Sequence, residues 1–373
     1  MKIDSLTIKN FKCFKAEKTF DFGRITLLTG ANNSGKSSVL YSILMMLQSD
    51  DFPRELSPNG KYVSLGDFYE IVNGHKRENT IKLELKIKDV LEYIPSLELN
   101  TEWKEDKVNG LPTLTKFNAA IQYHQFDEND ISDISIISDV FFESHRKNHK
   151  INFISAFRQS PRRTYLEKNK SEFNIGTEGE EYIDQIVEWD KRSNGEIKKL
   201  VETMKEMDLI EDIKINRLGG GRFEVLVKAN KNKDFAALSD VGSGISAFMP
   251  IMVADLQLPN GSTLFLAEPE IHLHPSVQSK FGDYIVKQVS ETEKNYVIET
   301  HSEYFLNRIR LAIVKGELKK EDIKVYFLEN NGEDTDVYDI NFTKTGAIKN
   351  APRTFFDTYF VDSMDIALNA FAE

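Results

Sequence analysis

Cysteine is almost absent from this chain: Cys13 stands alone among 373 residues, so no internal disulfide can form, and a reducing compartment is expected. Cys13 itself reads as a small core residue rather than a reactive thiol. Basic residues are outnumbered, with 48 Lys and Arg against 59 Asp and Glu and a formal charge of −11. The surface as a whole therefore repels a phosphate backbone, and nucleic acid would need a local basic patch. Long apolar runs are missing too: the stretches 39–47 and 245–256 fall far short of the ~20 residues that span a bilayer. The opening MKIDSLTIKNFKCF has no apolar signal core, so a cytoplasmic protein without a membrane partner is expected. There is neither an internal repeat nor a low-complexity tract. What is present, 40% apolar and 29% charged residues with 25 Phe and 13 Tyr, is the balance of a folded chain long enough for one large domain or two.

Residues 2–9 and 18–22 alternate polar and apolar, and 25–29 is a continuous β-type run, so three short strands open the chain. Apolar residues at 39, 40, 43, 44 and 47 then recur at helical spacing. The middle is β-rich, with strands expected over 80–88, 114–124, 131–137 and 151–156. Residues 180–213 read as a helical pair broken near Ser193-Asn194-Gly195, and Gly219-Gly220-Gly221 as a hairpin turn. The last third alternates strand (263–266), helix (276–289), strand (296–299), helix (303–314) and strand (324–328), the pattern of a largely parallel sheet flanked by helices.

Gly30-Ala31-Asn32-Asn33-Ser34-Gly35-Lys36-Ser37, followed by Ser38, matches G-x-x-x-x-G-K-[ST] between an expected strand and an expected helix. The glycines let successive main-chain N–H groups turn inward on a phosphate, and the helix N-terminus adds positive potential. Lys36 neutralises phosphate oxygens, and the Ser37 hydroxyl ligates Mg²⁺. Nucleotide binding follows.

Such a loop needs a second strand that ends in carboxylates, and Thr263-Leu264-Phe265-Leu266-Ala267-Glu268-Pro269-Glu270 supplies it. Glu268 and Glu270 are candidates for the metal shell and for activating water. About thirty residues on, Ile298-Glu299-Thr300-His301-Ser302 places His301 where an imidazole can sense a γ-phosphate. His272 and His274 alternate in an extended stretch with no third close ligand, so no zinc site is expected. Leu238 to Ser246 contains Gly242, Ser243 and Gly244 before an apolar helical run, either a second anion nest or a plain turn and N-cap. Arg158, Arg162 and Arg163 are the densest basic cluster, readable as a solvated or salt-bridged patch or as a phosphate or DNA contact.

Taken in order, the phosphate loop, the glycine-serine signature, the E-P-E strand end, the L-H-P turn and the T-H-S segment resemble an ABC-type ATPase head. The branch is that of SMC, RecF and OLD-like proteins, and stand-alone bacterial OLD/AriA-like AAA-ATPases of phage defence are the nearest resemblance. It covers residues 3–38, the Val63 to Phe68 stretch, 157–165 and 238 to about 356. The fold it implies is an α/β P-loop head with a mixed β-sheet, N-terminal antiparallel strands and a β-rich and helical insertion. The expected division is 1–90 and 214–345 for the head, 91–213 for the insertion and 346–373 for a tail.

The resemblance also implies ATP and Mg²⁺ as cofactors and a homodimer that sandwiches ATP, with higher oligomers left open. In it, Gly30, Asn32, Asn33, Ser34, Gly35, Lys36, Ser37 and Ser38 hold the nucleotide, and Ser243 and Gly244 meet the partner copy's γ-phosphate. Ser37 and Glu268 would hold the metal; Glu268, Glu270 and His301 would be catalytic; and His274 would lie in the loop after the acidic strand. No nuclease domain is appended, so a separate effector, nuclease or toxin, is expected in an antiviral role.

The sequence departs from the pattern at Ala267, where relatives commonly carry an acid. An engineered substitution that traps ATP and a natural divergence in which Glu268 and Glu270 share the roles both fit. Two alternatives stay open: a hydrolysis-deficient ATP-bound scaffold that sequesters a toxic effector, and a RecF-like DNA-repair ATPase with nucleic acid as a partner.

Overall fold

The computed structural model describes residues 1–121, 124–127, 131–145, 150–170, 173–193 and 195–355. Its centre is a seven-stranded sheet in the order β17 (Ile348–Lys349), β16 (Thr335–Phe342), β15 (Ile323–Asn330), β3 (Ile25–Gly30), β14 (Asn295–Glu299), β13 (Thr263–Ala267) and β8 (Ile151–Ile154). From β15 to β8 every pairing is parallel, whereas β15–β16 and β16–β17 are antiparallel.

The five residues of β13 and the five of β14 are all buried, which is why their inner stretches, 264–267 and 296–298, read as apolar runs rather than as alternation. Their side chains still alternate between two cores. Leu27, Leu264, Leu266 and Ile298 pack with α6 (Ser243–Gln257), α7 (Pro275–Thr292) and α8 (Glu303–Lys315), through Phe248, Phe281 and Phe305 among others. Leu28, Phe265, Ala267 and Val297 face the opposite way, onto α1 (Lys36–Gln48) through Val39, Leu40, Ile43 and Leu44, in a core that also takes in Phe68 and Ile71 of the short α2 (Phe68–Ile71).

That second core is closed by an antiparallel sheet in the order β2 (Lys18–Asp21), β1 (Lys2–Lys9), β4 (Ile81–Leu91), β5 (Ile94–Glu105), β6 (Pro112–Ile121) and β7 (His124–Asp127). In β4, Ile81, Leu83, Leu85 and Ile87 point into the core, while Lys82 and Lys86 face out and pair with Glu17 and Glu98. A smaller sheet joins β9 (Tyr165–Leu166), β10 (Asp212–Arg217), β11 (Arg222–Lys228) and β12 (Ala236–Ala237), next to α4 (Tyr182–Arg192) and α5 (Glu196–Glu206).

Three sequence expectations change. Residues 131–137 are not a strand but the start of α3 (Ile131–His145). Ile137, Phe141, Ser144 and His145 are its buried side, a helical spacing that the run of isoleucines obscured, and His145 Nε2 lies 3.0 Å from the Leu47 carbonyl oxygen. The segment 91–213 is shared out rather than set apart: β5 and β6 belong to the antiparallel sheet, β8 to the central sheet, and β9 pairs with β11. Strands β5 and β16 were not anticipated at all. The expected tail lies outside the described residues from 356 onward, as do residues 122–123 and Asn194 of the expected strand and helix break.

Candidate nucleotide site

The loop lies where the sheet delivers it, between the C-terminal end of β3 and the start of α1. Gly30 leaves the strand at φ +136°, and a Cβ there would sit 2.2 Å from the Leu328 carbonyl oxygen, so only glycine permits this exit. Gly35 precedes α1 at φ +103°, with Cys13 Sγ 2.6 Å from where its Cβ would be. Cys13 therefore packs the back of the loop, half-buried rather than in the core, with its thiol 3.8 Å from Ser38 Oγ. No side chain caps α1 and its first turn carries no acid, which leaves its main-chain donors for an anion.

Asn32 and Asn33 are exposed on the loop's outer turn. Ser34 is buried, and its Oγ has no hydrogen-bond partner. It lies within the loop's curl, 2.9 Å from where a Gly30 Cβ would stand. Lys36 is also buried, and its Nζ donates to the carbonyl oxygens of Gly30 at 3.1 Å and Ala31 at 2.8 Å. Burial lowers the Lys36 pKa, and Glu299, Glu268 and Glu270 oppose that shift.

The strand ends opposite bring three carboxylates and one imidazole to this ammonium. Glu268 follows β13 in the left-handed region at φ 47°, with its N–H donating to the Glu299 carbonyl at 2.8 Å. Its Oε1 is 3.7 Å from His301 Nε2. Glu270 accepts the main-chain N–H of His301 at 2.6 Å, while its other oxygen is buried without a partner. Burial pushes the Glu270 carboxyl up and the His301 imidazole down, which favours the neutral ring.

Sequence reasoning missed Glu299. This last residue of β14 is buried, and its Oε1 accepts the Ser37 hydroxyl at 2.8 Å. Burial is the largest influence on its carboxyl and raises its pKa, against the Ser37 hydrogen bond and Lys36. The available signal was a charged residue closing an otherwise apolar core strand two residues before His301.

Lys36, Ser37, Glu268, Glu270 and His301 are thus brought together. Ser243 and Gly244 stand apart, on the first turn of α6, where Ser243 is exposed and a Cβ on Gly244 would come within 2.7 Å of the His272 carbonyl oxygen. His274 caps α7, its Nδ1 accepting the Ser276 N–H at 3.3 Å. Arg158 does not belong to a solvated patch. Its guanidinium turns inward and donates to the carbonyl oxygens of Ser155 (3.0 Å), Ala247 (3.4 Å), Ala267 (3.1 Å) and Glu268 (2.7 Å), tying α6 to the end of β13. Arg163 pairs with Asp240.

The sequence profile described as "AAA domain, putative AbiEii toxin, Type IV TA system" matches residues 25–307, which contain the loop, the acidic strand end and His301. The chain belongs to that family. No curated protein matches this AAA domain in sequence. Among solved structures, the SmcHead bound to the C-winged helix domain of ScpA is 12% identical, with 92% of this chain and 99% of that one covered and a TM-score of 0.54. The SMC head domain from Thermotoga maritima (12% identical, 91% and 100% covered) gives 0.47. The Smc head with an extended coiled coil from Pyrococcus furiosus (11%, 100% and 100%) gives 0.49. The fold is that of a P-loop SMC ATPase head. The donors fit a nucleotide with Mg²⁺: a hydroxyl and carboxylate oxygens beside the loop's ammonium, with an unpartnered hydroxyl inside its curl. Among the described residues no group of three or more His, Cys, Asp or Glu side chains forms a metal cage, and Mg²⁺ at phosphate sites does not need one.

Proposed function

We propose that this AAA domain binds and hydrolyses ATP, and that ATP joins two copies into a dimer which hydrolysis releases. The observation that carries the reading is the pairing of the loop's Ser37 hydroxyl with a buried carboxylate, beside Lys36 and within reach of Glu268 and His301. Lys36 would exchange its carbonyl partners for the β- and γ-phosphate oxygens. Mg²⁺ held at Ser37 would draw negative charge from those phosphates. Glu268 would accept a proton from water as the water oxygen bonds to the γ-phosphorus and the bond to the ADP oxygen breaks. His301, neutral, would donate its N–H to the γ-phosphate, and Glu270 would hold the His301 backbone in place.

The turn with exposed Ser243 and half-buried Gly244 suits contact with the nucleotide of a second copy, and Arg158 links that turn's helix to the strand end proposed as catalytic. The toxin–antitoxin wording of the family description supports a role in defence with a separate effector protein. Among the described residues no helix is long and apolar enough to cross a membrane. Sedimentation of the full chain with Mg²⁺ and ATP, Mg²⁺ and ADP, or no nucleotide tests the switch. A dimer with ATP alone, lost in Lys36→Ala, is expected; a monomer in every condition would overturn it.

A further inference from the structure

Position 267 holds no carboxylate, yet the parallel register sets Ala267 directly opposite Glu299 on the neighbouring strand. Paired residues of a parallel ladder point to the same face. Ala267 and Phe265 lie in the core on the α1 side, as does Val297, so alternation directs Glu299 to that face as well. In the sheet order β14 lies between β13 and β3, the strand that feeds the phosphate loop. An acid at 299 is therefore one strand, roughly 4.8 Å, nearer to the loop than an acid at 267 would be. Its buried carboxylate reaches Ser37 Oγ at 2.8 Å. By contrast, the carboxylate of Glu268, at the end of β13, is partly exposed and directed at His301.

We propose that Glu299 is the acidic partner of Ser37 in the cation site, so that the strand beside β13 supplies the carboxylate position 267 lacks. Ser37 gives the hydroxyl oxygen, Glu299 binds the cation directly or through one of its waters, and Glu268 stays free for the proton. This assignment rests on the ATP-site reading above.

Calorimetry on the full chain tests it, with ATP titrated in Mg²⁺ and again in EDTA; the ratio of the two Kd values measures the cation's contribution. Glu299→Gln should cut that ratio by about tenfold or more, the usual effect of losing a metal's supporting carboxylate, with the EDTA value little changed. Glu268→Gln should keep the wild-type ratio. Adding Ala267→Asp to Glu299→Gln should restore much of it. Thermal unfolding of each variant without nucleotide confirms that it folds. A wild-type ratio in Glu299→Gln, with the loss appearing in Glu268→Gln instead, would overturn the assignment while leaving the ATP site standing. No ATP binding by the wild-type chain in either buffer would overturn both.

Discussion

Replacing Arg158 by alanine removes a guanidinium that joins three segments: the end of β8, helix α6 and the strand end at Ala267 and Glu268. A hydrogen bond from a charged donor contributes about 1.5–3 kcal/mol net, and carbonyls left without a partner in the interior cost about 1–3 kcal/mol. The bond to Ala247, at 3.4 Å, is too long to count fully. Arg158 is only partly buried, so water recovers some of the rest. The two Nη2 bonds to Ala267 and Glu268 remain, and they brace a left-handed glutamate whose backbone strain is itself about 1–3 kcal/mol. Together these place the loss at about 2–3 kcal/mol, or a fall in Tm of about 3–4 °C for a chain of 373 residues, whose unfolding entropy is about 2.1 cal/mol/K per residue. Arg158→Lys keeps the charge but not the fork, and should recover less than half. Circular dichroism melts of the three proteins in one buffer decide the matter. A Tm for Arg158→Ala within about 1 °C of wild type would refute the clamp.

The nucleotide-free protein should carry a pH signature. Glu270 and Glu299 are raised by burial, so their contribution to stability is complete below the ordinary value of about 4.3 and is lost as pH rises through their raised values. Glu299→Gln should flatten that decline in a series of melts, and parallel profiles would contradict it. His301 moves oppositely: its lowered pKa means stability gained above about 6.5 and lost as pH falls through the folded value. Its ring should titrate by NMR below about 6.5 and shift upward in Lys36→Ala, since burial is the first cause of the lowering and Lys36 the second. A midpoint at or above the ordinary value would contradict this. Gly30→Ala, which sets a methyl 2.2 Å from a carbonyl oxygen at φ +136°, should cost about 3 kcal/mol or more and be visible as a large drop in Tm.

The parts of the molecule that were readable beforehand are those where one physical requirement dominates. The loop from Gly30 to Ser37 announces itself because backbone curl, charge and hydroxyl each demand a residue type. Strands β3, β13 and β14 announce themselves because both faces are covered, leaving short runs of β-forming residues with no charged position inside them. Helix α3 was misread because consecutive isoleucines suit either structure, and the deciding fact, its packing against the end of α1, is tertiary. In the site, Glu268, Glu270 and His301 followed from their order along the chain. Glu299 did not, because its importance comes from register: one residue opposite Ala267, one strand from the loop. Arg158 looked like surface charge because sequence does not say which way an arginine turns.

Titration calorimetry of Mg²⁺-ATP into the wild-type chain and into Lys36→Ala bears on all of this at once. Heat of binding with one nucleotide per chain, abolished when the loop's ammonium is removed, is the expected outcome. Equal heats for both proteins, or none for either, would mean that the loop between β3 and α1 holds no nucleotide.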